Sequence, residues 1–193
     1  MLTRRFALAA VLAAGALLPA LPAVAQDDIM SHIVGQPSLA WNVYGASRPV
    51  RQRDAAEVPG GKAVRVEATR SANAWDIGAG MPVDGDIAAG DVLLVAVWAR
   101  VETPPAGQQT TRIPAVMIQQ SAAPYTPVIT GAATLTSEWQ LIFASGTAPE
   151  ARPRGSAGIT LHLGGATQTI DLGPAFVFNL GQGYDLTRLP RSE

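Results

Sequence analysis

Residues 91–101, DVLLVAVWARV, allow very few folds. Side chains alternate across a strand, so Leu93, Val95, Val97, Ala99 and Val101 share one face, and Leu94, Ala96, Trp98 and Arg100 share the other. The first row is wholly aliphatic and requires a core. The second begins apolar and ends in an indole and a guanidinium. Such a strand suits the middle of a sheet whose far face has work of its own. The plainer alternative makes Trp98 a second core residue and Arg100 the point where the strand reaches solvent.

The rest of the chain supports a sheet protein. Runs of β-type residues are separated by Gly, Pro, Ser, Asn and Asp, giving expected strands over 40–44, 62–69, 75–81, 92–102, 112–120, 126–136, 139–145, 158–163 and 167–180. The last should break at Gly173-Pro174, because proline cannot donate to a sheet ladder. Beyond the first 25 residues no window carries a sustained helical apolar stripe. Many short strands with frequent turn signals predict an all-β chain, a two-sheet antiparallel β-sandwich or barrel.

The first 25 residues read as a secretory signal. Arg4 and Arg5 precede the apolar run Phe6 to Leu18, and Ala23-Val24-Ala25 is a small-x-small cleavage site before Gln26. Thr3-Arg4-Arg5-Phe6 leaves both the general and the twin-arginine export route open. Residues 26–39 are expected to form a loose leading segment, 40–184 the sandwich and 185–193 a frayed tail. Cleavage removes two arginines and leaves 168 residues with 12 basic against 15 acidic side chains, a balance of −3. That charge argues against nucleic acid as a partner, and no later run is long enough to span a membrane. Cysteine is absent, so an exported chain of this kind is held by burial alone, which suits the periplasm or a bacterial extracellular space.

Most catalytic chemistries find no support. There is no thiol, and Ser156 lacks the spacing of a nucleophile elbow. The two histidines, His32 and His162, read as surface residues and form no zinc motif. The carboxylates Asp76, Asp84, Asp86, Glu138 and Asp171 form no recognisable glycosidase pair. What remains is a set of aromatic and polar side chains on strands and their edges: Trp75 with Asp76, Trp98 with Arg100, Gln119 with Gln120, and Tyr125. Flat rings stack on the apolar face of a sugar while amides and guanidinium groups bond its hydroxyls. Trp139 heads an apolar run and is assigned to the core.

The order of motifs carries more weight than any one of them. Gly61-Lys62-Ala63-Val64-Arg65-Val66 is followed by Ala74-Trp75-Asp76-Ile77. Next come Gly90-Asp91 leading into Val97-Trp98-Ala99-Arg100, and Ile118-Gln119 leading to Pro124-Tyr125. Last come Leu135-Thr136-Ser137-Glu138-Trp139-Gln140 and Thr169-Ile170-Asp171-Leu172-Gly173-Pro174. This succession resembles the CenC-like carbohydrate-binding modules, related to carbohydrate-binding families 4, 9 and 22, over about Trp41 to Leu180.

The resemblance implies a galactose-binding-like jelly roll and a groove for plant polysaccharides such as xylan or β-glucan. It implies ligand-binding roles for Trp75, Trp98, Arg100, Gln119 and Tyr125, and often attachment to a glycoside hydrolase. Many such modules hold a structural calcium through an early acidic residue and an Asp of the last strand. Asp171 matches the second position, whereas Asp27 and Asp28 lie too far upstream for the first; no other cofactor is implied. The signal leads directly into the module and the chain ends soon after it, so the expectation is an exported, non-catalytic carbohydrate-binding protein. Its partner would be a polysaccharide or oligosaccharide, with a glycoside hydrolase or another exported protein as a further one. Two alternatives remain at this point: a structural or protein-interaction module, and a small glycosidase or lyase.

Overall fold

The structure, a computed structural model, describes residues 31–34, 37–45 and 50–192. The signal, its cleavage site and Asp27 and Asp28 lie outside the described residues. The strands are β1 (Asn42–Tyr44), β2 (Arg51–Asp54), β3 (Lys62–Ala68), β4 (Gly78–Pro82), β5 (Asp91–Thr103), β6 (Thr111–Gln120), β7 (Pro127–Leu135), β8 (Gln140–Thr147), β9 (Ala157–His162) and β10 (Gln168–Gln182). They form two antiparallel five-stranded sheets. The first has the order β1-β4-β9-β6-β7 and the second β2-β3-β10-β5-β8. The chain is therefore the expected β-sandwich.

The core lies between the sheets. Leu93, Val95, Val97, Ala99 and Val101 of β5 are all fully buried there, against Ile113, Val116 and Ile118 of β6 and Ile159 and Leu161 of β9. The alternation of β5 thus assigns its inner face as expected. Its other face is also largely covered. Val92, Leu94 and Ala96 are buried with Phe178, Leu180 and Leu189 in a second apolar cluster outside the second sheet.

Several local expectations are corrected. Strand β2 was not among the expected ones, since Arg51-Gln52-Arg53-Asp54 carries no apolar period; it exists because it pairs as an edge with β3. Strand β10 does not break at Gly173-Pro174. The register shifts between Leu172 and Ala175 instead, a bulge that lets the strand carry proline. The bulge also turns the Gly173 carbonyl toward Trp41, whose buried indole Nε1 donates to it at 2.9 Å.

The ends are held, not loose. In the leading segment, Ile33 and Ser38 bridge Phe178 and Ala175 of β10, and Val34 N donates to Val177 O at 2.8 Å. The tail is not frayed through its described length: Leu189 is buried, and Ser192 Oγ accepts from Phe143 N at 2.6 Å. Covering the apolar outer face of β5 and β10 is what orders it.

Candidate functional site

The outward positions of β4 are Gly78, Gly80 and Pro82, alternating with the core residues Ala79, Met81 and Val83. Across the neighbouring strand, Pro82 pairs with Gly158 and Gly80 with Thr160. Glycines at the outward positions of central strands leave bare backbone as a floor. Long side chains stand around it, and the result is a groove of about 930 Å³ across the outer face of the first sheet. Asn42, Tyr44, Trp75, Gln119, Tyr125 and His162 contribute to its lining.

Trp75 does not open a strand, as the sequence suggested, but sits in a one-turn 3-10 helix, Ala74–Asp76. Asn73 N donates to Asp76 Oδ2 at 2.9 Å, closing the turn, and Gly164 N donates to Ala74 O at 2.9 Å, tying it to the end of β9. This raises the indole off the sheet, 58% exposed. The ring of His162 meets it edge-on, centroids 6.3 Å apart at 62°.

Tyr125 stands in the turn after β6. Its φ of 56° lies in the left-handed region, a backbone strain of about 1–2 kcal/mol for a residue with a Cβ. Hydrogen bonds from Gln120 N to Thr126 O and from Tyr125 N to Ala122 O, both 2.9 Å, hold it. The ring is 55% exposed. Gln119 lines the same groove from β6, in register with Gly158, and among the described residues its side-chain amide has no hydrogen-bond partner.

Sequence reasoning missed Tyr44 and His162. Tyr44 lies across Gly78, where any Cβ would run into its phenol oxygen. Burial raises the Tyr44 phenol pKa and lowers that of the His162 imidazole, so both are uncharged at neutral pH. The readable signal was the run Gly78-Ala79-Gly80-Met81-Pro82, which empties one face of a strand. Among the described residues, no Asp, Glu, Lys or Arg is in the groove lining.

Trp98 and Arg100 are not in this groove. They belong to β5 of the second sheet, on its outer face, with the sandwich core between them and the groove. Trp98 packs over Gly173, whose Cβ would stand 2.8 Å from its own, and against Ala55, Val58 and Ala63 with Trp139 beside it. Arg100 reaches across to β10, with Nε 3.0 Å from Asp171 Oδ2, and its guanidinium carbon stands 5.2 Å from the Trp139 ring centre. Alternation along β5 correctly placed the two residues together, but a sandwich has two outer faces and the pattern does not say which one.

Similar folds were found among solved structures. A family 4 carbohydrate-binding module is 19% identical, with a TM-score of 0.53 covering 72% of this chain and 94% of that one. The N-terminal cellulose-binding domain of β-1,4-glucanase C from Cellulomonas fimi is 20% identical, with a TM-score of 0.52 covering 79% and 98%. The second N-terminal cellulose-binding domain of the same enzyme is 19% identical, with a TM-score of 0.54 covering 78% and 93%. This chain has the fold of a carbohydrate-binding module. No protein-family model matches it, and no curated protein matches it in sequence.

Within that module fold, Asp171 does not fit the calcium role. It is fully buried, and both oxygens are taken up by guanidinium groups: Arg65 through Nε at 2.7 Å and Nη2 at 3.0 Å, Arg100, and Arg53 at 3.4 Å. Calcium needs six to eight oxygen ligands, and this carboxylate faces three cations instead. Nor do Asp76, Glu138 and Asp171 share one cleft, and Asp84 and Asp86 are both engaged by Arg154. Asp76 caps its own turn on the first-sheet side, Glu138 is exposed in the turn before β8, and Asp171 is sequestered in the second sheet.

Proposed function

We propose that the protein is an exported, non-catalytic carbohydrate-binding protein. Its ligand is an uncharged plant-type polysaccharide or oligosaccharide of the xylan or β-glucan class, laid in the groove of the first sheet. One observation carries the reading. Among the described residues four large apolar side chains are exposed, and three of them, Tyr44, Trp75 and Tyr125, line this one groove. Exposed rings gathered in one concavity mark a binding surface.

In this reading Trp75 and Tyr125 stack against sugar faces, Gln119 bonds hydroxyls, and the uncharged lining among the described residues favours neutral sugars over uronates and amino sugars. The lack of a carboxylate in the lining among the described residues supports a binding role over a hydrolytic one. Export rests on the N-terminal signal, and mass spectrometry of the secreted protein should find Gln26 at the N-terminus.

Calorimetry and affinity electrophoresis against xylan, mixed-linkage β-glucan and mannan test the binding. Saturable binding that disappears in Trp75→Ala is expected. A folded protein that binds none of them overturns the proposal.

A further inference from the structure

Strand β1 pairs with β4 only from Gly78 to Gly80. At Met81 and Pro82 that edge of the first sheet is left open, because the segment leading into β1 lies on the other sheet, bridged to β10 at Ile33 and Ser38. The gap between the two is a slot of about 340 Å³. Its walls are Ile33, Val34, Val83, Ala175, Phe176 and Val177. Val34 also packs onto Gly85, where an added Cβ would run into its side chain.

The slot and the groove share Met81, Pro82, Gly155 and Ile159 as lining. The slot's polar lining side chains are already engaged. Ser38 Oγ accepts from Ala40 N at 3.0 Å, and the Asp84 carboxylate accepts from Arg154 Nε. A space walled by aliphatic and aromatic groups, with its polar groups satisfied, solvates hydrocarbon better than sugar or water.

We propose that this slot is an annex of the groove that receives an alkyl or acyl chain carried by the bound glycan. The ligand is then an amphiphilic saccharide, the sugar on the rings and the chain turned around the edge of β4. The proposal rests on the carbohydrate reading of the groove.

The test compares methyl and n-hexyl β-glycosides of cellotriose and xylotriose by calorimetry, below the micelle concentration of the hexyl compounds. Burial of one methylene is worth about four-fold in affinity, so the hexyl glycoside should bind at least about ten-fold more tightly than the methyl one. Ala40→Trp, at the exposed mouth of the slot, should abolish that gain and leave the methyl glycoside unaffected. Trp75→Ala should weaken both. If the Ala40 variant does not fold, a graded gain through methyl, butyl and hexyl in the wild type, with NMR shifts at the methyls of Val83 and Ala175, decides the matter. Equal affinity of methyl and hexyl glycosides overturns the slot and leaves the groove reading standing. Failure of both sugar series to bind removes the groove reading and the slot with it.

Discussion

Asp171 and Arg65 face each other across neighbouring strands and join by two parallel hydrogen bonds, Nε to Oδ1 at 2.7 Å and Nη2 to Oδ2 at 3.0 Å. The register sets them opposite one another, and Arg100 stands opposite Asp171 on the other side. A planar fork on a carboxylate is the strongest geometry available to such a pair. Glu102 completes the network by accepting from Arg65 and Arg100.

Removing the acid should therefore be costly. Asp171→Ala leaves three guanidinium groups crowded together with only the half-exposed Glu102 as shared counter-charge, and a loss of about 3 kcal/mol is expected. Urea unfolding measures it. Glycan affinity of the folded fraction should not change, since the network lies on the opposite sheet from the groove.

Trp75 and Trp98 should part company under mutation. Trp75→Ala removes an exposed ring, so stability should move by no more than about 0.5 kcal/mol, while glycan affinity falls about ten-fold or more. Trp98→Ala should cost roughly 2 kcal/mol of stability through lost packing and leave affinity intact. Paired calorimetry and thermal denaturation check both. Sugar-induced change in tryptophan fluorescence should vanish in the first variant and survive in the second.

Burial lowers the His162 pKa from its ordinary value of 6.5. Below that value the unfolded chain binds this proton more readily than the folded one. Stability is therefore lost as pH falls from about 6.5 toward the lower folded-state value, and is constant for this group above 6.5. Thermal midpoints near pH 7.5 and pH 5, compared between wild type and His162→Gln, isolate the contribution. The variant should show the smaller decline on acidification.

Truncation after Tyr184 should uncover the apolar outer face of β5 and β10, where Leu189 now lies buried with Leu94 and Phe178. A lower thermal midpoint and new binding of a hydrophobic dye are expected. An unchanged midpoint would show that the tail contributes nothing to folding.

How far the sequence revealed this molecule depended on the kind of information needed. The inner row of β5 announced itself because burial repeats with period two. Strand β2 was hidden because an edge strand of charged residues has no such period. Gly173-Pro174 suggested a break because proline loses a ladder bond, and only the pairing with β5 shows the strand continuing past a bulge. At the site, Trp75, Gln119 and Tyr125 come together as the family-like order of motifs suggested. Trp98 and Arg100 do not, because membership of a sheet is a long-range property that alternation within one strand does not encode. His162 was set aside as a surface residue because nothing local links it to Trp75.

Under the proposed carbohydrate reading, the bare floor made by Gly80 and Gly158 has a kinetic meaning. A polymer resting on smooth backbone meets no knobs that mark one repeat from the next, so it can shift lengthwise by a sugar unit at little cost. The rings at the rim and the Gln119 amide would resist such sliding, and the hold they would give is on the chain and not on any one address along it.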